Sequence, residues 1–126
     1  MRFDLQNIMQ KSRPLKVLYV EDDKETRDLT KELFDSFFEN IFVAEDYQKA
    51  LEIFLDEEID LVITDVLLEG KSGVELAKKI KSYKDVPIIL FSAYDKNRFN
   101  DLECIDCFLL KPIDLNSFMR VLMKVL

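Results

Sequence analysis

Five strand-length apolar runs recur along the chain: Val17 to Val20, Ile41 to Ala44, Leu61 to Ile63, Ile88 to Phe91 and Cys107 to Leu110. Each is rich in branched or aromatic residues, and none alternates with polar ones, the pattern of strands buried on both faces of a sheet. The segments between them carry apolar residues at helical spacing. Tyr47, Ala50, Leu51, Phe54 and Leu55 make one stripe, and Leu29, Leu33 and Phe37, with Phe34 and Phe38 beside them, make another. Leu76, Ala77 and Ile80 form a third, and Leu115, Phe118, Met119, Leu122 and Met123 a fourth. Ser72 followed by Glu75 reads as a capping box, and Asp23, Asp46, Asp95 and Asp114 are placed to cap helices. Strands alternating with helices require right-handed crossovers and a parallel sheet. The expectation is a single α/β domain, a doubly wound (βα)5 five-stranded sheet in the flavodoxin-like order 2-1-3-4-5, with its ligand crevice at the strands' carboxyl ends. Residues 1–14, ending at Pro14, precede the first strand as an N-terminal extension. Phe3, Ile8 and Met9 suit a short extra helix there, a frayed terminus being the alternative. Residues 15–126 form the domain.

Two absences narrow the chemistry. The 126 residues include only 2 glycines, Gly70 and Gly73, where average usage gives about nine. No glycine-rich phosphate cradle can be written with them. There is no histidine, which excludes Ser-His and Cys-His nucleophiles, His-ligated zinc and a phosphohistidine on this chain. The net charge of −7 disfavours a nonspecific nucleic-acid surface. The apolar runs are too short to span a bilayer and Met1-Arg2-Phe3-Asp4 does not open a signal peptide, so the expected location is cytoplasmic, with no membrane association. Cys104 and Cys107 form an isolated C-x-x-C leading into an apolar run, which reads as core filling in a reducing compartment rather than a redox pair.

The residues that follow the strands carry the chemistry. Glu21-Asp22-Asp23 follow the first, Asp65 ends the third, Ser92 follows the fourth and Lys111-Pro112 the fifth. Singly, each has an ordinary reading as a helix cap, turn residue or solvated lysine; together they meet at one sheet edge. Clustered carboxylates repel unless a cation lies between them. Oxygen donors without histidine or an available thiolate favour Mg²⁺. With a hydroxyl from Ser92 and the positive charge of Lys111, such an edge can neutralise a phosphoryl group without a glycine loop.

In these motifs the chain resembles bacterial response-regulator receiver domains from Leu15 onward. They are Val-Leu-Tyr-Val-Glu-Asp-Asp with Arg27 downstream, Ile-Thr-Asp-Val-Leu-Leu ending in Gly73, Phe-Ser-Ala, and Phe-Leu-Leu-Lys-Pro. The resemblance implies Asp65 as phosphoacceptor, with Mg²⁺ (Mn²⁺ as a substitute) held by Asp22, Asp65, the backbone carbonyl of Leu67 and, through water, Glu21. It implies Ser92 as the switch hydroxyl, Phe108 as the switch aromatic, Lys111 as the phosphate-pairing lysine and a cis bond before Pro112. The chain would then act on no external substrate in turnover, catalysing only its own phosphorylation and dephosphorylation. A sensor histidine kinase or histidine phosphotransfer protein would supply the phosphoryl group. A downstream protein, a fused output domain or a second copy in a homodimer would read the face of the fourth helix, fifth strand and fifth helix.

Several positions depart from the family's pattern. The stretch from Ser92 to Lys111 is shorter by about one helical turn, so a short or irregular fourth helix is expected. Glu103 to Asp106 replace the glycine that often precedes the fifth strand, and Glu69 replaces a frequent proline. The shortened stretch and the missing glycine count against the family's usual dimer. Leu67 and Tyr94 flank the path of a water attacking the phosphoryl group, and are expected to slow its loss. Two other readings differ in class. A metal-dependent aspartyl phosphatase of the haloacid-dehalogenase kind needs alternating rather than adjacent aspartates after the first strand and a cap insertion. A receiver-like module indifferent to phosphorylation has no need of the full set of competent side chains.

Overall fold

A computed structural model describes residues 4–94, 98–99 and 102–126. Among the described residues, five α-helices and five strands follow one another. They are α1 (Leu5–Ser12), β1 (Lys16–Val20), α2 (Lys24–Asp35), β2 (Asn40–Ala44), α3 (Tyr47–Asp56), β3 (Leu61–Asp65), α4 (Gly73–Tyr83), β4 (Ile88–Ser92), β5 (Cys107–Leu110) and α5 (Leu115–Val125). The strands are parallel and ordered β2-β1-β3-β4-β5, the flavodoxin-like order expected. The sheet's period of two divides the interior. Val17 and Tyr19 of β1, Leu61 and Ile63 of β3, Ile89 and Phe91 of β4 and Leu109 of β5 pack against Phe34 of α2 and Phe118 and Leu122 of α5. Leu18, Val20, Val62 and Ile88 face the other way, onto Ala50 and Phe54 of α3 and Leu76, Ala77 and Ile80 of α4.

Helix starts follow the sequence signals. Asp23, Asp46 and Asp114 each accept a backbone N–H three residues on, from Thr26, Lys49 and Ser117, and Ser72 accepts from Glu75 N–H. Asp95 lies outside the described residues. Residues of the N-terminal extension form α1, which adds Ile8 to the α2/α5 core. The buried Ser12 hydroxyl donates to the Phe37 carbonyl at 2.7 Å. Between β4 and β5 no α-helix occurs among the described residues; the short or irregular fourth helix expected there falls partly on residues 95–97 and 100–101, which lie outside them. The α2 stripe sits one position round from the reading given by its leucines. Thr30 and Phe34 face inward while Leu29 is 63% exposed, because Phe34, Phe37 and Phe38 converge on Phe118 and set the helix's rotation. Cys104 and Cys107 are free thiols. Burial pushes the Cys107 thiol up, opposite to what a redox pair needs.

Candidate functional site

The ends of β1, β3, β4 and β5 deliver the polar groups of the carboxyl edge, and backbone bonds past the strand ends fix the loops that carry them. Glu21 N–H continues the ladder to the Ala44 carbonyl at 3.0 Å, Val66 N–H donates to Phe91 at 3.2 Å, and Lys111 N–H donates to Ser92 at 2.7 Å. These bonds hold the loops after β1, β3 and β5 as extensions of a buried sheet. Carboxylate oxygens of Glu21, Asp22 and Asp65 come within 4.8 Å of one another. Glu21 and Asp65 are buried, and Asp22 is exposed. This all-oxygen set suits a hard divalent cation that keeps several waters.

Lys111 lies across the cluster. Its Nζ donates to Glu21 Oε1 at 2.7 Å and to Asp65 Oδ2 at 3.2 Å, and lies 5.1 Å from the centre of the Phe91 ring. Asp65 Oδ1 accepts the Val66 N–H at 2.8 Å, so Oδ2 is the oxygen turned to the lysine. Burial pushes the Glu21 carboxyl up; the Lys111 bond opposes this and the neighbouring Asp65 adds to it. Asp22, although exposed, is also raised, by partial desolvation of its carboxyl and then by Glu21 beside it. Burial works against the Lys111 ammonium, but the bond to Glu21 and the charges of Asp65 and Glu21 outweigh it and hold its pKa above the ordinary value. Negative charge exceeds positive at this edge, the condition that draws in a cation.

The remaining groups surround this centre. Ser92 is buried and its Oγ accepts the Tyr94 N–H at 2.9 Å. The Lys111–Pro112 peptide bond is cis. Phe108 is half-buried with its ring against Phe99, centroids 6.1 Å apart. Leu67 pairs with Ser72 in an isolated antiparallel bridge and its side chain is exposed, as is that of Tyr94. The sequence motifs named Arg27 without giving it a task. It donates from Nη1 to the Glu21 carbonyl at 2.8 Å. Thr30 is another polar residue the sequence left unmarked; it is buried on the same helix, where only its position one turn before Phe34 signals an inward face.

A doubly wound sheet whose carboxyl edge gathers carboxylates around a lysine belongs to the α/β proteins that meet phosphoryl groups with side chains rather than with a glycine loop. Within that class, the family model for the response regulator receiver domain matches residues 17–123, and the chain belongs to this family. Sensory transduction protein LytR of Staphylococcus haemolyticus is 36% identical over 116 residues, covering 88% of this chain and 45% of LytR. Transcriptional regulatory protein CpxR of Klebsiella pneumoniae is 37% identical over 78 residues, 62% of this chain and 33% of CpxR. The chain thus spans less than half the length of these two relatives. Among solved structures, response regulator TrrA of Thermotoga maritima in complex with Mg²⁺–BeF is 32% identical with a TM-score of 0.79, covering 89% of this chain and 99% of TrrA.

Proposed function

We propose that Asp65 is the phosphoacceptor of this receiver domain and that residues 15–126 are the receiver unit, with α1 as an extension packed on it. The observation that carries the assignment is the position of Asp65. It lies at the end of a central strand with Oδ2 facing Lys111 Nζ at 3.2 Å and beside the carboxylates of Glu21 and Asp22. In the reaction, a carboxylate oxygen of Asp65 attacks the phosphorus of a partner's phosphohistidine. The new P–O bond forms as the P–N bond breaks, and the released imidazole nitrogen takes up a proton. Mg²⁺ would be held by Asp22, Asp65, the Leu67 carbonyl and, through water, Glu21, and would supply positive charge for the phosphoryl oxygens; Mn²⁺ has the same preference for oxygen ligands. Lys111 is already within reach of that charge. Ser92 would exchange its bond to Tyr94 N–H for one to a phosphoryl oxygen, and Phe108 would turn inward behind it. Because the chain has no histidine, the donor histidine lies outside residues 1–126, on a sensor histidine kinase or histidine phosphotransfer protein. Output would pass to a downstream protein or fused domain through β5 and α5, which border a groove of about 560 Å³. We place this chemistry in the cytoplasm and read it as self-modification rather than turnover of an external substrate.

Incubation with acetyl phosphate and Mg²⁺ followed by intact mass measurement tests the assignment. One phosphoryl group is expected on the wild type and none on Asp65→Asn or in EDTA. An adduct that persists in Asp65→Asn refutes it.

A further inference from the structure

The β1–α2 loop, Glu21-Asp22-Asp23, must present two carboxylates to a cation while its own backbone leaves the sheet. Glu21 is 1% exposed, so each of its polar groups needs a partner inside the protein. Its N–H is satisfied by the Ala44 carbonyl, Oε1 by Lys111 and Oε2 by Asp23 N–H at 3.3 Å. Its carbonyl, where the sheet ladder ends, accepts from the Arg27 guanidinium at 2.8 Å. Arg27 belongs to the first turns of α2, and its own N–H donates to the Asp23 carbonyl at 2.9 Å. One residue therefore grips both sides of Asp22, through the carbonyl before it and the carbonyl after it.

The two cations of this edge act differently. Lys111 sits on carboxylate oxygens, one from Glu21 and one from Asp65, which are atoms a metal ion or its waters would use. Arg27 makes its bond to a backbone carbonyl, so it ties down the loop without occupying a carboxylate oxygen. We infer that Arg27 is a positioning residue for the cation site: its guanidinium clamp on the Glu21 carbonyl fixes the loop that aims Glu21 and Asp22 at the metal. This inference rests on the reading of the carboxylate cluster as a Mg²⁺ site.

The clamp and a purely electrostatic role predict opposite signs. Loss of a nearby positive charge alone strengthens attraction for Mg²⁺, whereas loss of the clamp lets the ligands drift and weakens binding. Isothermal titration of the full chain with MgCl2 separates them. Arg27→Met keeps the length and packing of the stem but has neither donor nor charge, and a roughly 10-fold rise in the Mg²⁺ dissociation constant is expected, the lower end for residues that orient metal ligands. Arg27→Lys restores a donor and is expected within about threefold of the wild type. Circular dichroism at the titration temperature checks that each variant is folded, and Arg27→Lys keeps the comparison available should Arg27→Met unfold, since a dissociation constant more than tenfold above wild type would then contradict rescue. Mg²⁺ binding by Arg27→Met equal to or tighter than wild type overturns the clamp alone. Absence of Mg²⁺ binding by the wild type overturns the cation-site reading and the clamp with it.

Discussion

Gly73 has no room for a side chain. A Cβ built there overlaps the carbonyl oxygen of Asp65 and lies 3.0 Å from its carbon and 3.2 Å from Thr64 Oγ1. The obstacle is backbone at the end of a buried strand, which cannot swing aside as a flexible side chain would. Gly73→Ala is therefore expected to cost about 1–3 kcal/mol in urea unfolding and to slow phosphorylation of Asp65 by acetyl phosphate. Gly70 offers the internal control: its φ is +85° with nothing near the Cβ position, so Gly70→Ala strains the backbone by about 1 kcal/mol and is expected to leave the phosphorylation rate near wild type. Equal rates for the two variants would remove Gly73 from the site. At the mouth, Leu67 is 62% and Tyr94 48% exposed, an expense in apolar surface that packing does not explain. Leu67→Asn and Tyr94→Ala are expected to shorten the aspartyl-phosphate lifetime, followed by mass spectrometry after removal of the donor; unchanged lifetimes refute their shielding role. The sequence made the site legible through conjunction: each polar residue at a strand end has an ordinary reading as a cap or turn residue, and only the parallel sheet order brings Glu21, Asp22, Asp65, Ser92 and Lys111 to one edge. It left Arg27 without a task because its partner is a backbone carbonyl, which no side-chain pattern encodes.

The helix α1 shows where element-scale reading stops. It has 8 residues, below the roughly 12–15 at which an isolated helix becomes even marginally stable, so its existence depends on what it touches. The sequence could place Ile8 at helical spacing but could not choose between a docked helix and a frayed end, because the receptor is assembled from distant residues: Phe37 and Phe38 after α2, and Leu122 and Val125 of α5. Two bonds fasten its C-terminal end, Ser12 Oγ to the Phe37 carbonyl and Glu39 N–H to the Arg13 carbonyl at 3.2 Å. Ile8→Ala is expected to destabilise the domain by about 2–4 kcal/mol, read as a lower urea midpoint with an unchanged slope. A shift under half that size would mean that α1 rests on the domain without contributing to its core. The same dependence on distant partners rotated α2 away from its leucines. By contrast, the sheet order followed from local pattern, because buried parallel strands have one chirality of crossover and few ways to be connected.

At the scale of the whole molecule the excess of acid is unevenly tuned. Exposed caps and pairs hold some carboxyls low: Asp23 and Asp114 through bonds from Thr26 and Ser117, and Asp28 through Lys24. Groups lowered in this way stabilise the fold above the ordinary carboxylate range and lose that effect only as pH falls through their folded values. Glu21 and Asp22 are raised, Glu21 chiefly by burial and Asp22 by partial desolvation, and have the opposite sign. They favour the fold when protonated, and that contribution disappears as pH rises through their folded values. Lys111 is raised too; its contribution is complete throughout the neutral and mildly acidic range. Between about pH 7.5 and about pH 5.5, the raised pair takes up protons ahead of the lowered carboxyls. The metal-free domain, with net charge −7 at neutral pH, is thus expected to gain a few degrees in Tm on mild acidification. On the proposed ligand set Mg²⁺ needs the same carboxylates ionised, so it competes with protons and is expected to stabilise the domain more at the higher pH. Thermal unfolding at both pH values, in EDTA and in Mg²⁺, measures both halves of the argument. A Tm in EDTA that falls on acidification, or a Mg²⁺ increment that is the same at both pH values, would detach the raised carboxyls from the cation site and leave their burial a feature of the scaffold alone.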